Sequence, residues 1–517
     1  MSRVPAPEGP VGPVTSRLVA LCAQTRDRLR TPELRDRLDG LVTRLSEPRI
    51  RVAVGGRMNA GKSTLANAML QERLAATGAT ETTRLVTWFC HGHQARLRVH
   101  RRDGTERVVP LAATGGVGAS MTDADPGEIG HLTVETPNDA LSRHTLIDTP
   151  GMDSLSKLDP DSLAALGDAD AVVYLMPHPG EHDIEAIDAV RSWTGDLRLG
   201  AANMIGVLSR IDTLSGEDDP WPDARRVADR YARELRAVLS DVVPVAGLLA
   251  ETARGPDFGE PDARALRALA EADRGTTTRK LRTVQRFRGW EDGPVPAEDR
   301  ERLLELLGLH GIRVGLALLD EGRRSTPALL EGFAARSGID TVLERIDTVF
   351  VAGADRLRAS AGIAALEHLG WDAPDELDRR VLLTLQSDLD RLRLEPALRQ
   401  VDLAAALVDL EAGRMRLGDD DVARLRDLAT GVDDARRLGL AAGAGRDEIA
   451  AAATAQIPQW RRLEARPSRV LQRHVRTARE LCEHILFSAP DEPDEPGEPA
   501  DPAAPTSPSW QARTSSP

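Results

Sequence analysis

Gly56-Arg57-Met58-Asn59-Ala60-Gly61-Lys62-Ser63 is the stretch on which the reading of this 517-residue chain turns. It fits the pattern G-x-x-x-x-G-K-S/T, and its flanks are those the pattern needs, with a strand-like run Arg51–Val54 before it and a helix-like run Ser63–Leu70 after it. Glycines at 56 and 61 let the backbone curl until its N–H groups face one point, with the positive end of the next helix behind them. Such a loop cradles the α- and β-phosphates of a nucleotide. Lys62 brings a compact ammonium for the β and γ oxygens, and Ser63 a hydroxyl for Mg2+. A forked guanidinium would not fit inside the loop, so lysine is required there. The composition sharpens the point: of 67 basic residues only Lys62, Lys157 and Lys280 are lysine, so this chain writes arginine wherever a generic positive charge will do.

Outward from the loop, strand signals alternate with helices. They fall at Ile50–Val54, Leu85–Phe89, a hairpin around Asp103-Gly104, Leu132–Val134, Thr145–Ile147, Ala171–Leu175, Met204–Leu208 and Val242–Val245. This alternation predicts an α/β domain with a mainly parallel sheet and helices on both faces. Beyond residue 260 strand signals stop, and Leu, Ala, Arg, Asp and Glu recur at helical spacing for about 220 residues, which predicts an elongated helical bundle. Breaks in it fall at 293–296, Ser337-Gly338, Asp372–Pro374 and Ala441–Gly445. The expected organisation is a flexible start (1–14), two N-terminal helices (15–48), the α/β domain (49–258), the helical region (259–488) and an acidic, proline-rich tail (489–517).

The formal charge is −14, of which the tail supplies −5 from six acids and Arg513. The remaining −9 excludes a general nucleic-acid surface, so no DNA partner is expected. No apolar run approaches the roughly 18–20 residues of a membrane-spanning helix, and no signal peptide is evident. Cys22, Cys90 and Cys482 are odd in number and far apart, which fits a reducing compartment, so a cytoplasmic protein is expected.

Three further segments sit at expected strand ends. Asp148-Thr149-Pro150-Gly151 offers an acid to hold Mg2+ through water and a glycine, Gly151, to sense a γ-phosphate. Ser209-Arg210-Ile211-Asp212 is similar to the base-reading N/T-K-x-D segment, in which the acid accepts from guanine N1–H and N2–H2; Arg210 stands for the usual lysine and covers the base with its stem. Ala246-Gly247-Leu248 offers backbone N–H groups for guanine O6. Between Lys62 and Asp148, Thr80–Arg84 is the switch segment, with Thr83 as the hydroxyl for Mg2+ and the γ-phosphate and Thr82 as the alternative. The candidate site is therefore Gly56, Asn59, Ala60, Gly61, Lys62, Ser63, Thr64, Thr83, Asp148, Gly151, Ser209, Arg210, Asp212 and Gly247, with Ser63, Thr83 and Asp148 as metal ligands.

Together with these segments, Gly78–Phe89 and Val243–Ala250 resemble the bacterial dynamin-like GTPases, and within them the isoniazid-inducible dynamin-like proteins of mycobacteria. The resemblance is firm over the α/β domain and loose over the helices. It implies a large GTPase with GTP or GDP and Mg2+ as ligands, nucleotide-dependent self-association as a homodimer or with a second dynamin-like protein, and peripheral attachment to anionic membranes with remodelling. It also implies that the N-terminal helices pack with the returning helix near 459–487 as a neck. Departures are specific. Met152 stands where Ras-like enzymes carry a water-orienting glutamine, and Met58 where eukaryotic dynamins carry theirs. Asn59 compensates if its loop, similar to that of potassium-activated GTPases, holds K+ in place of an arginine finger. Two rival readings stay open: a regulatory or RNA/ribosome-associated GTPase, and a weakly hydrolysing partner subunit of another dynamin-like protein. With 15 aromatic residues in the chain, base stacking has little to work with.

Cys90-His91-Gly92-His93 ends a strand, so its side chains alternate between faces and do not converge on a metal. His178 and His182 read as a loop after the Ala171–Met176 strand. Two arginine-rich runs, from Arg279 to Arg288 and from Arg461 to Arg479, read first as solvated helix faces, with contacts for anionic lipid as the alternative.

Overall fold

The structure is a computed structural model that describes residues 11–76, 85–111, 117, 126–151, 160–177, 202–214, 219–236, 238–369, 375–393, 395–411, 413–431 and 433–488. The switch segment with Thr82 and Thr83, Met152, Lys157, His178, His182 and the tail lie outside the described residues.

The run Ile50–Gly56 forms β1, and all but one of its residues are buried, as befits a strand covered on both faces. The other strands are β2 (Thr87–His91), β3 (Arg96–Arg101), β4 (Glu106–Pro110), β5 (Ile129–Thr136), β6 (His144–Asp148), β7 (Ala171–Met176), β8 (Met204–Leu208) and β9 (Val242–Pro244). They make one sheet in the order β4-β3-β5-β2-β6-β1-β7-β8-β9. From β6 through β1, β7 and β8 to β9 all neighbours are parallel, so the C-terminal ends of these strands share one rim. β2 runs against β6 with Thr87 opposite Asp148, which starts β2 on that same rim. The β3–β4 hairpin turns at Asp103-Gly104, where Gly104 takes φ 84° and Asp103 accepts from the Thr105 N–H. The expectation of a mainly parallel sheet followed by helices is met, with the antiparallel pairs confined to β2–β6 and the β3 neighbours.

The apolar core does not pause where the strands end. Leu266, Leu303, Leu306, Phe333, Val342 and Phe350 belong to the same buried cluster as the sheet. Helices Glu260–Glu271, Ala297–Asp320, Thr326–Ala335 and Ile339–Arg345 therefore continue the packing of the α/β layer, and residue 258 marks a change of secondary structure rather than a gap in the core.

The N-terminal helices Pro13–Arg28 and Pro32–Leu45 form a second cluster. Their Leu18, Cys22, Leu34 and Leu38 meet Ala359, Ile363 and Leu366 of helix Ala354–Leu369 and Leu382 and Leu385 of helix Glu376–Leu392. Two carboxylates, Asp355 half-buried and Asp378 buried, fix the pairing. Asp355 accepts from the N–H groups of Val14 and Thr15, and Asp378 from those of Arg30 and Thr31 and from the Thr31 hydroxyl. This corrects the expected neck. The returning helix Arg469–Ser488 instead buries Leu471, Val475, Leu481 and Cys482 in the large cluster, with Trp460 and Leu463 of helix Arg446–Glu464 and Leu403 and Leu407 of helix Pro396–Glu411. Helical periodicity sets which face is apolar, not which partner covers it.

Part of the second arginine-rich run is paired within this hairpin, while Arg466, Arg469 and Arg473 are exposed. Arg476 and Arg479 pair with Glu464, Arg479 also pairs with Glu483, and Arg461 reaches Glu483. In the first run Arg288 pairs with Glu301, and the Lys280 ammonium stands 5.9 Å from the Trp290 ring.

Candidate nucleotide site

The loop after β1 has the backbone its sequence requires. Gly56 takes φ 140°, and a Cβ there would lie 2.6 Å from the Leu175 carbonyl oxygen of β7. Gly61 takes φ 93° as the residue before helix Lys62–Leu70. Between them Asn59 is also left-handed, at φ 58°, a conformation asparagine tolerates better than most side chains. Lys62 is 7% exposed, and its Nζ donates to the carbonyls of Gly56 at 3.1 Å and Arg57 at 2.9 Å, so the ammonium is folded into the loop. Ala60 is fully buried, and Thr64 in the first turn of the helix lies beside Gly247, where a Cβ would meet the Thr64 methyl at 3.7 Å.

β6 delivers Asp148 to the same point. The Ser63 hydroxyl donates to its Oδ2 at 2.7 Å, while Oδ1 is buried without a hydrogen-bond partner. Burial pushes the carboxyl up to about 6, against the smaller opposing pulls of the Ser63 hydrogen bond and the Lys62 charge. The Ser63 hydroxyl and the Asp148 carboxylate, whose Oδ1 is orphaned, form a hard-oxygen donor set, and Mg2+ fits it. The neighbouring Thr149 donates its hydroxyl to the Val54 carbonyl at 2.8 Å, locking this segment to β1. Gly151 closes on the loop so tightly that a Cβ would lie 2.5 Å from the Met58 Cα. Met58 itself is 53% exposed at the lip.

The segment expected to read the base follows β8. Ser209 donates its hydroxyl to the Ala60 carbonyl at 2.7 Å, tying this segment to the phosphate loop. Arg210 adopts φ 51°, and its carbonyl accepts from the Thr213 hydroxyl at 2.8 Å, which shapes the turn Ile211–Thr213 that presents Asp212 to solvent. After β9, Gly247 and Leu248 open helix Gly247–Arg254, whose first N–H groups have no intrahelical acceptor. Ala246 departs from expectation. Its N–H already donates to the Ser337 carbonyl at 2.9 Å, so only the Gly247 and Leu248 N–H groups remain for a base oxygen.

The structure thus brings Gly56, Asn59, Ala60, Gly61, Lys62, Ser63, Thr64, Asp148, Gly151, Ser209, Arg210, Asp212 and Gly247 to one rim of the sheet. Thr83 lies outside the described residues. Sequence reading missed Ser337, Gly338 and Thr149. Ser337-Gly338 was visible only as a helix break, and no spacing rule relates residue 337 to residue 246. The Cys90–His93 stretch makes ordinary strand-end contacts, with the His91 ring 3.0 Å from the Asn138 carbonyl. Among the described residues no group of three or more His, Cys, Asp or Glu side chains is placed to hold a metal.

Residues 52–191 match the model of the dynamin family. Over 444 residues the chain is 34% identical to the isoniazid-induced protein IniC of Mycobacterium tuberculosis, an alignment spanning 83% of this chain and 88% of that one. The chain belongs to the dynamin family. Dynamin-like protein 2 of Campylobacter jejuni is 26% identical over 193 residues, or 37% of this chain and 30% of that one. A solved chain from an oligomerised bacterial dynamin pair superposes with a TM-score of 0.34 at 13% identity, over 92% of this chain and 90% of that chain. The rim described above is thus that of a dynamin-family GTPase domain, and the helices after residue 260 are the helical region of a bacterial dynamin-like protein. Among the described residues no helix is long and apolar enough to cross a membrane.

Proposed function

We propose that this dynamin-family chain binds GTP with Mg2+ at the β1 rim, hydrolyses it, and couples the cycle to self-association and to peripheral binding and remodelling of anionic membrane. The observation that carries the nucleotide reading is Asp148. Its Oδ1 is buried and unpartnered, beside the Ser63 hydroxyl and at the mouth of a loop whose only lysine is folded inward. In this reading the loop N–H groups from Asn59 to Thr64 and the Lys62 ammonium hold the phosphates, Ser63 and Asp148 hold Mg2+, Thr83 and Gly151 sense the γ-phosphate, and Asp212 with the N–H groups at Gly247 reads guanine. Mg2+ there neutralises charge on the β and γ oxygens. Arg210 lies over the base by its stem, and Asn59, exposed and left-handed, is the place for K+.

Nucleotide binding is tested with a fluorescent GTP analogue on wild type and Lys62→Ala, scored against an ATP analogue. Equal binding of both nucleotides, or full binding by Lys62→Ala, refutes the site. Phosphate release in KCl against NaCl, with and without Asn59→Ala, tests the cation; equal rates in both salts sink it. Co-sedimentation with anionic vesicles, with and without GTP, tests the membrane step, and absence of lipid binding in every nucleotide state counts against it.

A second reading, a subunit that hydrolyses GTP weakly until a partner dynamin docks, is favoured by Met58. An apolar side chain 53% exposed stands at the lip, where an enzyme complete in itself would carry a water-orienting group. Single-turnover hydrolysis by the purified chain separates the two readings.

A further inference from the structure

Helix Arg469–Ser488 buries Leu471, Val475, Ala478, Cys482 and Ile485 in the large cluster and leaves its opposite face uncovered. On that face Arg469, Arg473, Arg476, His484 and Phe487 are exposed, at spacings of three, four and eight that keep them on one stripe. The two ends of the stripe differ. At the helix end Phe487 is 81% exposed. At the helix start Arg469 and Arg473, with Arg466 in the turn before them, have no carboxylate partner among the described residues. The neighbouring acids are engaged elsewhere, Glu464 by Arg476 and Arg479, and Asp409 by His474 and Arg414. An open aromatic ring and a group of unpaired cations on one face suit an acidic chain with an apolar edge.

The sequence after Ser488 is such a chain. From Pro490 to Pro508 every third residue is proline. That period predicts an extended polyproline helix, which has three residues per turn and so sets its prolines on one edge. Glu492, Glu495, Glu498 and Asp501 then share a second edge. The lengths agree as well. At about 1.5 Å per helical residue, Arg473 and Arg469 lie about 22 Å and about 28 Å back from Ser488. At about 3.1 Å per residue, a chain doubling back from Ser488 is about 22 Å along at Glu495 and about 31 Å at Glu498. Proline edges dock on exposed aromatic rings, which Phe487 offers beside the turn. Tethering at Ser488 keeps the segment at about millimolar effective concentration, so individually weak exposed ion pairs suffice. The first arginine-rich run is the poorer host, because the exposed acids Asp273, Glu291 and Asp292 share a cavity with Lys280 there.

We propose that residues 490–501 dock along the exposed face of their own preceding helix, prolines against Phe487 and acids against Arg473, Arg469 and Arg466, and that the docked tail keeps these arginines from an anionic lipid surface. The docking stands on charge, period and length alone, whereas the shielding rests on the membrane reading above.

Because only Lys62, Lys157 and Lys280 are lysine, an introduced amine is readily followed. In the full-length chain Arg469→Lys, and separately Arg473→Lys, keeps the cation and adds an amine that a zero-length carbodiimide joins to a touching carboxylate. Peptide mapping should find an amide between that position and an acid of 491–501 of the same molecule. The product should be suppressed in about 1 M salt and absent when the six tail acids are replaced by their amides. No tail coupling from either variant, or coupling only between two molecules, overturns the docking. Shielding is read by co-sedimentation with vesicles of phosphatidylserine and phosphatidylcholine. The chain with the amidated tail should bind about tenfold tighter than wild type, a part of what three arginines at an anionic surface contribute. The gain should vanish when Arg466, Arg469 and Arg473 are all changed to Gln. Equal binding by wild type and amidated tail, or a gain that survives the loss of the three arginines, overturns the shielding. Lipid binding by no variant removes the membrane reading and the shielding with it, while the carbodiimide product still decides the docking.

Discussion

Gly338→Ala perturbs the joint between helical region and nucleotide rim at one point. Gly338 takes φ 81°, and a Cβ on it would lie 2.3 Å from the Pro244 carbonyl oxygen, on a backbone that leads directly into Ala246 and Gly247. Gly322 is its natural control, at φ 86° with nothing within 4 Å of the added carbon. Both substitutions place alanine in the left-handed region, which costs roughly 1–2 kcal/mol. Only Gly338→Ala must also drive a backbone oxygen away by about 0.7 Å to reach the closest distance real Cβ atoms show, 3.0 Å. Such overpacking costs a further ~1–3 kcal/mol. The expected losses in a urea titration are therefore about 1–2 kcal/mol for Gly322→Ala and roughly 2–5 kcal/mol for Gly338→Ala. The second readout is affinity for a GDP analogue below the denaturation range. It should fall in Gly338→Ala, because the displaced Pro244 carries the Ser337–Ala246 hydrogen bond and the Gly247 N–H with it, and should hold in Gly322→Ala. Equal stability losses in the two variants, or unchanged affinity in Gly338→Ala, would refute the steric coupling.

Nucleotide affinity in Mg2+ should drop as pH falls through about 6, where the Asp148 carboxyl takes up a proton, and Asp148→Asn should bind weakly at every pH. The sign for the free protein is opposite: a carboxyl raised from 3.8 to about 6 by burial binds more protons folded than unfolded, so its penalty on stability is absent below 3.8 and grows as pH rises to 6. Isothermal titration and thermal melts from pH 5 to 8 check both halves. Lys62→Arg should lose nucleotide as completely as Lys62→Ala in the same binding assay, since a guanidinium has no room at the position where Nζ meets the Gly56 and Arg57 carbonyls. Asp378→Ala removes the buried acceptor of two backbone N–H groups and a hydroxyl at Arg30 and Thr31, and should cost roughly 2–3 kcal/mol and expose the 29–32 link to limited proteolysis; an unchanged cleavage pattern would argue that the N-terminal helices are held by apolar contacts alone.

What could be read from residues alone was local or ordered along the chain. The loop Gly56–Ser63 announces itself because its two glycines, lysine and serine must stand at fixed spacing between a strand and a helix. Asp148, Ser209 and Asp212 were legible because each follows an apolar strand-like run, and parallel strands put such residues on a shared rim without further information. The end of the strand pattern near 255 marked the change to helices in the same way.

Tertiary structure alone decided who covers whom. The N-terminal helices and helix Arg469–Ser488 carry similar apolar stripes, and a stripe does not name its partner; Asp355 and Asp378 do, by accepting backbone N–H groups from residues more than 300 positions away. Arg461, Arg476 and Arg479 looked like part of a basic face until the packed hairpin set Glu464 and Glu483 against them. The base end of the site is the sharpest case. That Ser337 takes the Ala246 N–H depends on a contact between segments about 90 residues apart, where sequence spacing carries no distance information. The sequence alone determined the phosphate-binding chemistry, because that chemistry is built from one continuous loop, while the limits of base recognition came from the fold, because they are built where two distant helices meet.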